Sequence, residues 1–419
     1  LAEVARELAV DALVEGSALR AGDSVRIMAQ LIDPGTEQAL WAESYERDLE
    51  NVLALQSEVA RAIAGELAVA LTPEEAGRLT GARPVNPEAH DAYLKGSFYW
   101  KQLTREGLDT AERYFELALE KDPTYAPAHE GIAWVWAARQ QVFITPPHEA
   151  GPKAKAAALR AVELDDSSAG AHGALAAVRA WTDWDWDGAE REWRRALALD
   201  PNAANAHAYF ANFLGIMGRI DEATRHGERA LELDPFNTLF HGLYGNILCK
   251  ARRYDDILAL VANLRAMLPD EASFGVLMEC VYVCRGMRDE HLALQRERLA
   301  KDPERVAARD QGRAEAGYEA AMRRVADLLA ARYAGAAGVP NPAANMVVSQ
   351  PPKVIAYWYV WAGDYEKAVS WFERAFEVRD PGLPYISFDP RLDPLRSHPR
   401  FQDLLRRMNL PQADAARAP

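Results

Sequence analysis

PNAANAHAYFANFLGIMGRIDEATRHGERALELDP, residues 201–235, opens on the proline of one Asp-Pro break and closes on the proline of the next. Pro269 and Pro303 continue the step of 34 residues, each closing an amphipathic run with an Asp-Pro or Leu-Pro break. Proline ends a helix because it lacks an N–H to donate and its ring crowds the preceding turn. A period of this length marks a solenoid of helical hairpins, in which no unit can bury its apolar face alone. Such an array points to recognition of partners rather than to chemistry.

Aligned on the breaks, helix pairs end near Pro123, Asp166, Pro201, Pro235, Pro269, Pro303, Tyr333 and Asp380. The second pair is stretched by a loop from Phe143 to Pro152. The seventh is followed by GAAGVPNPAANMVVSQPP, residues 335–352, a Gly/Pro-rich segment that reads as an internal hinge. Asn86-Pro87 opens the array with an N-cap residue and proline at the first helical position. Residues 86–334 therefore read as about seven helix pairs, 353–410 as a final pair with a C-terminal cap, and 411–419 as a disordered tail.

Residues 1–82 have a different character. After a short helix, Ala12 to Arg20 and Ser24 to Asp33 alternate across an Ala-Gly-Asp turn as in a hairpin. Pro34-Gly35 makes a second turn. Ala39 to Glu46 reads as a third strand with Trp41, Glu43 and Tyr45 on one face, and a helix from Leu49 to Leu71 follows. Thr72-Pro73 and Arg83-Pro84 punctuate the exit. The fold class expected is mostly α, a helical-hairpin solenoid preceded by a small α+β domain with a three-stranded antiparallel sheet.

Composition narrows the functions. A chain of 419 residues, 49% hydrophobic and 26% charged, can bury a large core. Its formal charge of -14 opposes the counterion-release term that drives binding to phosphate backbones, so nucleic acid is disfavoured as a partner. Cys249, Cys280 and Cys284 are too few and too clustered for a secreted disulfide framework, and reduced thiols are expected. No run of 18 apolar residues is present, which argues against membrane insertion by this segment. The opening LAEVARELAV has no initiator Met, basic n-region or cleavage site, and reads as the start of a piece cut from a longer bacterial protein. Its compartment, cytoplasmic or periplasmic, would then be set upstream.

Each unit carries a small residue early in its second helix, an aromatic or apolar residue four later, and a small one three after that. Ala111, Phe115 and Ala118 show the triplet, as do Ala189, Trp193, Ala196 and Ala368, Phe372, Ala375. These positions form one helical face whose small residues let neighbouring helices approach closely. The sixth unit departs with His291, Gln295 and Arg298, and weaker packing is expected there. In spacing, triplet and terminal proline the chain resembles the tetratricopeptide repeat family over about three-quarters of its length. Separately, VDALVEGSALRAGDSVRIMAQLID (residues 10–33) with LWAESYERDLENVLALQSEVARAIA (40–64) resembles the latter half of a TolB amino-terminal-like domain. Such halves precede tetratricopeptide arrays in bacterial proteins similar to multidomain adenylate cyclases, winged-helix regulators and receptor-type kinases. RPVNPEAHDAYLKG (83–96) and FDPRLDPLRSHPRFQDLLRRMNLP (388–411) fit the same group.

The tetratricopeptide resemblance implies that first helices line a groove. Carried over in register, the ninth position gives Trp100, Trp134, Val178, Asn212, Asn246, Cys280 and Tyr357; later positions add Trp181, Lys250 and Trp361. Asn amides can hydrogen-bond an extended backbone, and Trp and Tyr offer rigid contact area. The aromatics either serve that groove or pack between repeats. The fifth position holds Ala208 and Gly242, so the cations of a carboxylate clamp are missing. Candidate groove residues are thus Trp100, Trp134, Trp181, Asn212, Asn246, Lys250, Tyr357 and Trp361.

Other constellations weigh less. Asp183, Asp185 and Asp187 before Gly188 begin like a calcium loop, but Arg194 stands where the bidentate acid belongs, and an inter-helix turn with a capping Asp and a plugging Trp184 or Trp186 is the alternative. His129, His172, His207 and His241 each lie six residues after a break. Stacked repeats hold them roughly 10 Å apart per helix layer, too far to share one metal, so ring packing against a neighbouring helix is expected. Cys280 and Cys284 share a helix face without a second ligand pair, and buried thiols are expected. No catalytic motif stands in a usable context, and no cofactor is implied. The reading is a non-catalytic peptide- or protein-binding scaffold or sensory module of a bacterial signalling protein. Its rivals are a self-associating module forming homo-oligomers and, further off, a small-molecule-binding or enzymatic protein.

Overall fold

The computed structural model describes residues 3, 5–6, 10–21, 24–48, 52–67, 85–267, 274–336 and 351–411. The chain divides into two compact units, residues 1–98 with 113–125, and residues 99–112 with 126–419. The expected first helix, the linker around Thr72-Pro73, most of the 335–352 break and the 411–419 tail lie outside the described residues, apart from a few at their margins.

In the first unit, β1 (Leu13–Ala21), β2 (Ser24–Asp33) and β3 (Gln38–Asp48) form an antiparallel sheet in the order β1-β2-β3. Pairing of Ile27 with Tyr45 and of Leu31 with Trp41 puts one set of alternating side chains on one face. Helix α1 (Val52–Glu66) covers it, so Leu55, Val59 and Ala62 meet Val25, Ile27, Trp41 and Tyr45. The register slips between Leu31 and Ile32. The β2–β3 turn is held by Asp33, whose carboxylate accepts from the Gly35 and Thr36 amides at 2.7 and 3.2 Å.

Helix α2 (Pro87–Trp100) starts as expected, with the Asn86 side chain accepting from the amides of Glu88 and Ala89. It packs on α3 (Arg105–Lys121) at Gly96, where a Cβ would lie 2.6 Å from the Phe115 ring. The glycine is needed for that approach.

The second unit continues the hairpins. α4 (Ala126–Gln141) pairs with α5 (Pro147–Leu164). α6 (Ala169–Val178), extended by a π turn at Arg179–Asp183, pairs with α7 (Trp186–Leu199). Then come α8 (Ala204–Ile216) with α9 (Ile220–Leu233), α10 (Thr238–Lys250) with α11 (Tyr254–Met267), and α12 (Gly275–Cys284) with α13 (Arg288–Arg298). Pro303–Ala336, labelled α14, is two helical segments separated by non-helical Ala316 and Gly317, the latter at φ 80°, and folded back on each other so that Gly312 meets the Ala320 backbone. α15 (Pro352–Trp361) pairs with α16 (Tyr365–Glu377), and short 3-10 turns at Leu383–Ile386 and Pro390–Leu395 lead to α17 (Pro399–Arg407).

The triplets are the core. Ala189, Trp193, Ala196, Ala368, Phe372 and Ala375 are all fully buried. The sixth unit keeps His291 and Gln295 buried among polar neighbours but leaves Arg298, its third position, exposed, in line with the weaker packing expected there. The breaks also have a physical cause. The amides of Asp165, Asp200 and Asp234 close α5, α7 and α9 on the carbonyls of Ala161, Ala196 and Ala230. The carboxylates of Asp165 and Asp200 then accept from the amides of Ser167 and Asn202, turning the chain into the next hairpin.

Candidate functional site

The recurring histidines belong to these breaks. His172, His207 and His241 each donate from Nε2 to the carbonyl six residues earlier, that of Asp166, Pro201 and Pro235, at 3.0, 2.9 and 2.8 Å. Carbonyls at the end of one hairpin are thereby satisfied by the first turn of the next. The ring packing expected is present as well, His207 lying 5.0 Å between centroids from His226 on the neighbouring helix α9. His207 Nδ1 also lies 2.8 Å from His226 Nδ1, and burial lowers the basicity of both, that of His226 to about 4.

The acidic turn is likewise committed. Asp185 caps α7 by accepting from the Gly188 amide and pairs with Arg179 at 2.9 Å, while Asp183 pairs with Lys155 at 2.8 Å. Trp186 is the plug, its indole N–H donating to the Met408 carbonyl at 2.8 Å. Among the described residues no three His, Cys, Asp or Glu side chains are placed to hold a metal ion.

The cysteines require a correction. Cys249 and Cys280 are joined as a disulfide rather than present as two thiols, linking α10 to α12 with Cα atoms 6.3 Å apart. Stacking of adjacent first helices brought together positions 31 residues apart, a contact invisible to local spacing. Cys284 stays a thiol, pushed up to about 11 by burial despite the opposing Tyr254 hydroxyl.

The expected groove residues fall into two groups. Asn212, Tyr357, Trp181 and Trp361 are buried and Lys250 half-buried, most of them beneath the chain's own C-terminal segment. The Asn212 amide donates to the Tyr385 hydroxyl at 2.9 Å and Lys250 Nζ to the Tyr385 carbonyl at 3.0 Å. Ser387 donates to the Ile216 carbonyl, and the Phe388 ring covers Gly218. Tyr357 donates to Asp389 at 2.5 Å, Asp389 pairs with Arg391, and Arg391 reaches Glu279 on α12 at 3.0 Å. Trp181 packs edge-on to Trp193 and Tyr209, and Trp361 edge-on to His291. These five side chains are thus engaged within the chain itself. A Pro-rich stretch with only short 3-10 turns has no periodicity to announce where it docks.

Burial sets the charges there. It lowers Lys250 to about 7 against the attraction of Asp389, and it would raise Asp389, but the Arg391 guanidinium, Lys250 and the Tyr357 hydroxyl hold that carboxylate far below the usual range. Glu279 accepts from Gln295 at 2.8 Å and pairs with Arg298 as well as Arg391. The neutral His291 ring, lowered to about 4 by burial, stands behind Gln295 at 3.0 Å.

Trp100, Trp134 and Asn246 are placed differently: they line an open cavity of about 930 Å³. Around it stand Glu130, Asn205, Phe236, Leu239 and Val276, with Asp200, Asp234 and Lys101 as further charged residues. Phe236 is 62% and Val276 43% exposed, and both face this one cavity. The Trp100 and Trp134 rings meet edge to face at 6.0 Å, and Trp134 stacks on Tyr209 at 4.8 Å. Among the described residues nothing hydrogen-bonds the Asn246 side chain.

Hairpins recurring every 34 residues, closed at Asp-Pro breaks and packed through one small-large-small triplet, decide the repeat class. The array is of the tetratricopeptide type. No family model matches the chain. A curated relative from Rhizobium meliloti (strain 1021), named "Putative adenylate cyclase 3", is 36% identical over 183 residues, which make up 43% of this chain and 31% of that protein. The chain thus spans under a third of the relative it matches. Similar solved structures include a thermophilic TPR protein from Thermus thermophilus, 16% identical over 46% of this chain and 98% of that one, TM-score 0.38. The human IFIT1 dimer with PPP-AAAA is 15% identical over 77% and 78% of the two chains, TM-score 0.44. YrrB, a TPR protein with an unusual peptide-binding site, is 20% identical over 48% and 95%, TM-score 0.29.

In tetratricopeptide register Glu130 stands four residues before Trp134, at the position that holds Ala208 and Gly242 in later repeats. That register was the signal for it. Phe236 follows an Asp-Pro break and falls outside the first-helix positions, so no register rule points to it.

Proposed function

We propose that this chain is a non-catalytic protein-binding module of a bacterial signalling protein, and that its open tetratricopeptide cavity holds an extended segment of a partner. The observation that carries this is the division of the first-helix face. One stretch is filled by the chain's own residues 385–393, an irregular segment held through backbone carbonyls and side chains. The other stretch, lined by exposed Phe236 and Val276 and by the Asn246 amide, has the same kind of wall and, among the described residues, no occupant. Apolar area with one amide aimed at a backbone suits an extended peptide. The relative named as a cyclase, and the resemblance of residues 10–33 and 40–64 to the latter half of a TolB amino-terminal-like domain, support placement beside a signalling effector. The -14 charge supports protein over nucleic acid.

A randomised decapeptide library selected on the protein tests the cavity. Selected peptides should bind at least tenfold more weakly to Asn246→Ala and to Phe236→Ser, with both variants melting like the parent. Peptides that bind all three proteins equally would place recognition elsewhere.

A further inference from the structure

The acidic end of the open cavity carries more information than its apolar wall. Glu130 projects from α4 and is half-buried, and its carboxyl packs so closely on Gly170, in the first turn of α6, that a Cβ there would collide with Oε2. Gly170 is thus the residue that makes room for this carboxylate. Among the described residues no lysine, arginine or histidine forms an ion pair with Glu130, and Lys101, on the same cavity, is not among the charges that act on it. Burial raises the carboxyl to about 7, with only a Trp134 hydrogen bond opposing. Asp200 and Asp234 also line the cavity, and the Trp100 and Trp134 rings form its aromatic wall, Trp134 bonded to Glu130.

A carboxylate kept from water without a counter-charge is costly, and a site that holds one gains most from a ligand that brings the cation. Indole faces attract the same ligand, since they favour cations and also cover an alkyl stem. We propose that the Glu130 end of the cavity receives a lysine or arginine side chain of the bound segment, its stem against Trp100 and Trp134 and its head on the Glu130 carboxylate. This rests on the cavity being a peptide site and adds the class of residue it reads. The polarity is the reverse of a clamp for carboxylates.

The probe is a set of acetyl-capped decapeptides selected from the randomised library, so that no free amino terminus can supply the charge. Lys or Arg should be enriched at one position. Replacing it with norleucine should weaken binding to the parent protein about tenfold or more, and binding to Glu130→Gln less than twofold. Selected peptides with no basic position, or a norleucine penalty equal on both proteins, would overturn the subsite while leaving the groove standing. A library that returns no peptide weakened by Phe236→Ser would overturn the groove itself, and the subsite with it. Should Glu130→Gln fail to fold by circular dichroism, norleucine and acetyl-lysine peptides on the parent decide alone, and unchanged affinity refutes the proposal.

Discussion

His291 shows how one polar residue in a triplet position trades packing for a conditional stability. Its ring is fully buried, bonded to the Tyr318 hydroxyl at 2.7 Å and edge-on to Trp361, so the protonated form has neither water nor a bonded carboxylate to stabilise it. The nearest acid, Glu279, attracts the charge, but desolvation prevails and the folded value drops to about 4, against 6.5 for an exposed ring. Between those values an unfolded chain takes up a proton that the folded chain refuses. Stability contributed by this site is therefore intact above about pH 6.5 and is lost as the pH falls, by about 3 kcal/mol at pH 4. His291→Gln removes the titration but costs a hydrogen bond at every pH. Urea unfolding from pH 7 to 4 should thus show a lower starting stability and a shallower acid slope for the variant. Parallel slopes would mean that His291 contributes nothing and that other groups, His226 among them, carry the acid dependence.

At the scale of elements, hairpins with strong local periodicity were legible and contacts between distant elements were not. α7 and α16 stand where the Ala-Trp-Ala and Ala-Phe-Ala triplets placed them, because an amphipathic stripe at helical spacing has one way to be buried. The three strands agree within a few residues for the same reason at period two. The π turn after α6 leaves no periodic trace, whereas the reversal at Gly317 makes the helix pair expected to end near Tyr333. Nor did the link between α10 and α12, since Cys249 and Cys280 become neighbours only after two hairpins have stacked. Closing a loop of 31 residues removes denatured-state entropy worth about 3–4 kcal/mol. Reduction, or Cys249→Ser with Cys280→Ser, should lower unfolding stability by about that amount, while Cys284→Ser should change it little. Alkylation under non-reducing denaturing conditions checks the premise: one labelled thiol supports the link, and three would refute it.

Across the larger unit, charge is the part of the organisation that composition concealed. A net charge of -14 suggests acids spread over solvated faces, yet Asp389 and Glu279 are withdrawn into the unit and bridged by Arg391, a residue from a stretch without repeat character. The open cavity was partly readable, because Trp100, Trp134 and Asn246 lie in register; the filled stretch was not, because pairing of buried ions has no sequence period. Arg391 serves both carboxylates, so removing it leaves two buried anions, whereas removing Asp389 as well leaves only Glu279, which keeps Arg298 and Gln295. Arg391→Met should therefore cost about 3–5 kcal/mol. Asp389→Asn combined with Arg391→Met should cost less than Arg391→Met alone, since the asparagine can still accept from Tyr357 without carrying charge. Chemical denaturation of the single and double variants measures the coupling. Additive losses would show that the C-terminal segment is held by its apolar residues, Leu383, Ile386, Leu392 and Leu395, and that the ion bridge across α12 contributes no net stability.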